Sequence, residues 1–128
     1  MAGQFVVLVF DRNKYIRDLV RRELKSEGYK VYSAQTFPEF LFFFQSKMRF
    51  ALVVLDLELH DIDRTIDMIR DTIHENQKLT VVVHTFNEMP EVLGGLQNVR
   101  FVEKNAGSIE VIKALARDIR SKTGKTGG

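Results

Sequence analysis

The sequence contains no cysteine, which excludes a disulfide framework, a thiol nucleophile and any zinc–thiolate site. No apolar run approaches the roughly 20 residues needed to cross a bilayer, so no membrane insertion is expected. The opening Met1–Phe5 lacks the basic start and small-residue cleavage site of a secretory signal, which leads to an expectation of a cytoplasmic protein. An excess of one charge is missing too: 19 Lys and Arg stand against 17 Asp and Glu, a net +2. That balance argues against direct nucleic-acid binding. There is no internal repeat and no Gly-x-Gly-x-x-Gly, so a dinucleotide-binding fold loses its main support. Thr123-Gly-Lys-Thr126 echoes the end of a phosphate-binding loop, but its leading Gly would fall on Ile119 and no helix can follow. What is present is 128 residues, 45% hydrophobic and 28% charged. This suits one globular domain, with a core over about residues 4–121 and a frayed tail over 122–128.

Short apolar runs alternate with stretches of helical period. Phe5–Phe10 is a continuous β-branched and aromatic run, as expected of a strand buried on both faces. Ile16, Leu19, Val20 and Leu24 then share a helix face, and Gly28 suits the stop. Lys30–Ser33 reads as a second strand. Thr36-Phe-Pro-Glu39 has the form of a capping box opening a helix with Phe40, Leu41, Phe43 and Phe44. Core packing accounts for Phe40, Phe43 and Phe44, leaving Phe42 exposed. Ala51–Leu55 is a third strand, and Ile66, Ile69 and Ile73 give the next helix its apolar face. Leu79–Val83 and Asn98–Val102 are the remaining strands. Between them, Pro90 and Gly94-Gly95 predict a short, weak helix within Asn87–Gln97. Ser108 is expected to cap a last helix bearing Ile109, Ile112, Leu115, Ala116 and Ile119.

Five strands alternating with five helices predict an α/β doubly wound five-stranded parallel sheet, a three-layer sandwich of the flavodoxin-like type. Ligands of such sheets sit beyond the carboxyl ends of the strands. The residues just after the strands are Asp11 and Arg12, Asp56, Thr85 and Lys104. Two carboxylates brought together there would attract a hard cation such as Mg²⁺. A carboxylate nucleophile, a hydroxyl and an ammonium beside it form a candidate phosphoryl-transfer site. Taken singly, an Asp after a strand is more often a turn former or a cap. Lys14, Arg17, Arg21, Arg22 and Lys25 on the first helix read as a solvated face, since Asp18 and Glu23 interleave. His60, His74 and His84 have no metal-ligand spacing.

Over about residues 4–121 the chain resembles the receiver (CheY-like) domain of bacterial two-component response regulators. The likeness is carried by Val7–Asp11, by Leu52–Leu57 around Asp56, by Asp63 in the loop beyond, by Val82–Thr85 and by Phe101–Lys104. The resemblance implies that Asp56 accepts a phosphoryl group from a sensor histidine kinase or phosphotransfer protein. Thr85 and Lys104 would hold the phosphoryl oxygens. It further implies Mg²⁺ on Asp11, Asp56 and the Glu58 backbone carbonyl, and Thr85 and Phe101 as the switch pair. The domain would signal to a downstream protein by contact, as a monomer or weak homodimer, and would not itself be an enzyme.

The sequence also departs from the family. Arg12 stands in place of a second acidic residue and weakens the expected Mg²⁺ site; its guanidinium either approaches Asp56 or swings into solvent. His60 and Arg64 replace a Pro and a Gly, and Phe86 replaces a small residue, its bulk expected to obstruct access to Asp56. Asn105 replaces a Pro whose peptide bond is commonly cis, so a trans Lys104–Asn105 bond is expected. Three functions follow: a phosphoacceptor receiver, a pseudo-receiver acting as a protein-interaction module without Mg²⁺-dependent phosphorylation, or a phosphatase using Asp11. The last lacks its second Asp, because Asn13 stands there, and lacks a late acidic pair.

Overall fold

The computed structural model describes residues 5–57, 62–86, 88 and 91–126. The first strand, β1 (Val6–Phe10), leads through Asn13 into α1 (Lys14–Ser26). The Asn13 side-chain oxygen accepts the N–H groups of Tyr15 and Ile16 at 3.0 and 3.2 Å, satisfying two free donors of the first turn. Gly28, at φ 91°, turns the chain out of the helix in the left-handed region. There follow β2 (Lys30–Ala34), α2 (Phe37–Gln45), β3 (Leu52–Leu55), α3 (Ile62–Glu75), β4 (Thr80–Thr85), α4 (Glu91–Gly94), β5 (Val99–Glu103) and α5 (Ser108–Thr126). Thr36 caps α2 as the box predicts, its hydroxyl accepting the Glu39 N–H at 3.3 Å.

All strand pairs are parallel, in the order β2-β1-β3-β4-β5. The order reverses between β1 and β3, where Phe10 pairs with Leu55 and the next residues are Asp11 and Asp56. Side chains alternate across the sheet and build two cores. Val7, Val9, Val54 and Val82 pack with Val20 and Leu24 of α1 and with Ile112 and Ala116 of α5. Leu8, Phe10, Val53 and Val83 pack with Phe40 of α2 and with Ile66 and Ile69 of α3. Phe43 and Phe44 pack against this second core while Phe42 is exposed, as expected. Among the described residues no helix is long and apolar enough to cross a membrane.

The structure differs from the sequence expectations in four places. Leu19 is exposed, and the buried stripe of α1 runs Arg17, Val20, Leu24 instead. Thr85 is the last residue of β4 rather than the residue after a strand. The α5 backbone runs to Thr126, through most of the segment expected to fray, and Lys122 pairs with Asp118 one turn back at 3.0 Å. Ser108 lies inside the first turn of α5 and its hydroxyl binds elsewhere, as described below. The short fourth helix is a single turn, closed by Gly94.

Candidate functional site

Three charged side chains meet at the carboxyl ends of the central strands. The Asp56 N–H donates to the Phe10 carbonyl at 3.0 Å, extending the β1–β3 ladder and setting Asp56 beside Asp11. The Lys104 N–H donates to the Thr85 carbonyl at 3.0 Å, extending the β4–β5 ladder in the same way. From there the Lys104 ammonium reaches across the sheet end. Its Nζ lies 2.5 Å from Asp56 Oδ2 and 3.0 Å from Asp11 Oδ2. Asp11 and Asp56 are each 3% exposed and Lys104 5%, so this is a desolvated cluster with a net charge of −1 by its formal charges.

The neighbours finish the wiring. The second Asp11 oxygen accepts the Asn13 N–H at 2.8 Å. The Asp11 carbonyl accepts Arg17 Nη1 at 2.8 Å. Burial pushes the Asp11 carboxyl above its ordinary range, and the Lys104 and Asn13 hydrogen bonds offset only part of that. Burial pulls the Lys104 ammonium down, but its bonds to Asp56 and Asp11 outweigh it, so the net shift is upward. The Lys104 Nζ also lies 5.4 Å from the centre of the Phe86 ring, a cation–π contact. Phe86 is thus a mostly exposed side chain standing over a buried charge cluster.

The structure therefore brings together Asp11, Asp56 and Lys104, with Thr85 fully buried at the neighbouring strand end. It leaves others outside. Arg12 is exposed and makes no ion pair among the described residues, so of its two expected orientations it takes the one into solvent. Lys104 is a cation on Asp56. Asp63 is exposed in the first turn of α3 and Arg64 stacks on Phe37 at 5.1 Å. Phe101 faces outward, 40% exposed, on the edge strand β5. The Glu58 carbonyl and His60 lie outside the described residues. The Lys104–Asn105 peptide bond is trans, as expected.

Mg²⁺ fits this donor set poorly. It requires near-octahedral oxygen coordination. Here one Asp11 oxygen is committed to Asn13, and the facing oxygens of Asp11 and Asp56 hold the Lys104 ammonium. Among the described residues no three His, Cys, Asp or Glu side chains are grouped to hold a metal ion.

Sequence reading missed Arg17, His84 and Ser108. Arg17 lay on a visible signal, since it shares the i, i+3, i+7 face with Val20 and Leu24. His84 lay on another, the period-two alternation with Val82 that turns it toward α5. Ser108 was singled out for a cap, but its bond to His84 depends on how α5 docks.

No protein-family model matches the chain, and no curated protein matches it by sequence. Solved structures do match. The response regulator protein TrrA of Thermotoga maritima in complex with Mg²⁺-BeF is 22% identical, with a TM-score of 0.72 over 91% of this chain and 99% of that one. The same protein in complex with histidine kinase ThkA gives 21% and 0.73, over 91% and 98%. A receiver domain protein (CheY-like) from Methanospirillum hungatei is 18% identical, with a TM-score of 0.77 over 97% and 99%. A chain described as adenylate cyclase from Rhodopirellula baltica gives 16% and 0.77, over 98% and 93%. At such identities the likeness is one of fold, and one fold serves different outputs. With five parallel strands in this order, five helices and the acidic pair at the strand-order reversal, the chain has the fold of a response-regulator receiver domain.

Proposed function

We propose that the chain is a signalling module of the receiver type, in which Asp56 accepts a phosphoryl group from a histidine kinase or phosphotransfer protein. The observation that carries this reading is the Lys104 ammonium held on Asp56 Oδ2 at the carboxyl end of β3. In the transfer, an Asp56 oxygen bonds to phosphorus as the phosphorus–nitrogen bond of the donor phosphohistidine breaks. The imidazole leaves with the electron pair and takes up a proton. Lys104 moves from carboxylate to phosphoryl oxygens and neutralises developing charge. Thr85, at the end of β4, is the hydroxyl proposed to meet a phosphoryl oxygen. Output then goes through contact with a downstream protein in the cytoplasm, as a monomer or weak homodimer, with no direct nucleic-acid contact and no turnover of its own. No step is routed through Mg²⁺.

The test is intact mass after incubation with a small-molecule phosphodonor, with and without Mg²⁺. A gain of one phosphoryl group that disappears in Asp56→Asn supports the reading; no gain in folded protein refutes it. The second reading, a pseudo-receiver that docks proteins without being phosphorylated, is favoured by Arg12 standing in solvent where the resemblance calls for a carboxylate. A partner that binds wild type and Asp56→Asn equally would support that reading instead.

A further inference from the structure

The Lys104 side chain is long and flexible, and it holds a fixed position between two carboxylates only if its backbone is held too. Just beyond it, the chain turns from β5 into α5 through Asn105, with a trans bond. Ser108 closes that turn. Its Oγ donates to the Asn105 carbonyl at 2.9 Å and accepts the Asn105 N–H at 3.3 Å, while Asn105 Oδ1 accepts the Gly107 N–H at 2.9 Å. The Ser108 hydroxyl has one proton, and that proton is used on Asn105. The His84 Nε2 lies 2.8 Å from the same oxygen, a buried hydrogen bond between this turn and β4. The other ring nitrogen, Nδ1, is buried and has no partner among the described residues.

A plain core residue does not explain this arrangement. His84 is 2% exposed and packs where an apolar side chain would leave no acceptor unsatisfied. The polar choice makes sense through the bond from Nε2 to Ser108. We infer that His84 and Ser108 are positioning residues for Lys104: their hydrogen bond fastens the turn that carries Lys104 to the strand that carries Thr85. Lys104 is then held on both sides, by its own N–H on Thr85 and by the next residue on Ser108. The inference rests on the reading that Lys104 serves Asp56, but its test does not need phosphorylation.

The test is NMR of the ¹⁵N-labelled full chain. In wild type, the Lys104 ammonium gives a side-chain cross-peak because its protons are buried on two carboxylates. Ser108→Ala and His84→Leu broaden or abolish that peak. They also speed exchange of the Lys104 backbone amide by about tenfold, the factor matching loss of one hydrogen bond, while Val53 and Val82 amides keep their protection. Ser108→Thr, which keeps the hydroxyl, and His84→Gln, which keeps a donor near Nε2, restore both signals. An unchanged peak and unchanged Lys104 exchange in both disrupting variants overturn the inference. If His84→Leu fails to fold, Ser108→Ala decides, since alanine is well tolerated in a helix. Failure of wild type to take up phosphate retires the phosphoacceptor reading alone. If wild type does accept phosphate, the disrupting variants accept it about ten- to a hundredfold more slowly, as expected for a group displaced by about 1 Å.

Discussion

His84 makes folding stability depend on pH in a definite window. Burial, with the Lys104 charge adding to it, lowers the His84 pKa from 6.5 to about 4. The unfolded chain binds a proton at this residue below 6.5 and the folded chain resists doing so until about 4. Between those values the unfolded state holds more protons, so stability rises with pH and falls as the solution is acidified. A difference of 6.5 minus 4 is 2.5 units, and at 1.36 kcal/mol per unit the stability lost by pH 4 is about 3 kcal/mol. His84→Gln keeps the donor to Ser108 and removes the titration. Urea unfolding from pH 7 to pH 4 then separates the two proteins. Carboxylates remote from His84 contribute to both curves alike, and the gap between them reports His84 and its coupling to Asp56. With m of roughly 1–3 kcal/mol/M, the wild-type midpoint should fall behind the variant by about 1 M or more at the acid end. Curves that stay parallel across the window would refute the buried neutral imidazole.

Four other outcomes are expected. Lys104→Met removes the ammonium held between Asp11 and Asp56, costing about 3–5 kcal/mol at neutral pH; chemical unfolding should show part of this recovered in the double variant with Asp56→Asn. Millimolar Mg²⁺ should leave the wild-type melting temperature unchanged and raise that of Arg12→Asp, which supplies the missing carboxylate; equal responses in a thermal scan would sink the account of the donor set. Phe40→Ala, at a fully buried ring stacked on Phe10, should cost about 3–5 kcal/mol. Phe42→Ala, at a ring 68% exposed, should change unfolding by less than about 0.5 kcal/mol.

The architecture was legible because parallel strands buried on both faces leave unbroken apolar runs, as Val6–Phe10 and Leu52–Leu55 do. The positions of Asp11, Asp56 and Lys104 followed from those strand ends. Their wiring was less legible. Arg12 stands in place of a second acidic residue after β1, which points to its guanidinium as a cation for Asp56. Yet the cation that reaches Asp56 comes from 48 residues away in the chain, and its approach depends on β5 lying beside β4. Arg17 was read as solvated because its neighbours are charged, although its helical phase puts it with Val20 and Leu24. Thr85 was placed after its strand because local apolarity ends at Val83, whereas pairing with β5 carries the ladder on to Glu103. Long-range pairing thus decided the cation on Asp56 and the end of β4, whereas the burial of Arg17 follows from its helical phase.

The contrast between α4 and α5 has a mechanical consequence. A single turn of helix has no continuous ladder of hydrogen bonds to keep it straight, so it cannot act as a rigid strut. A disturbance arriving at Thr85 would be absorbed there as local bending. The other route out is α5, which spans Ser108–Thr126 and is joined at its base to β4. Its 19 residues make a rod about 28 Å long at 1.5 Å per residue, so a tilt of about 5° around Ser108 carries the far end about 2.5 Å. Ile112 and Ala116 hold the middle of α5 on the sheet, so any such tilt displaces the backbone most at the carboxyl-terminal end of the last helix.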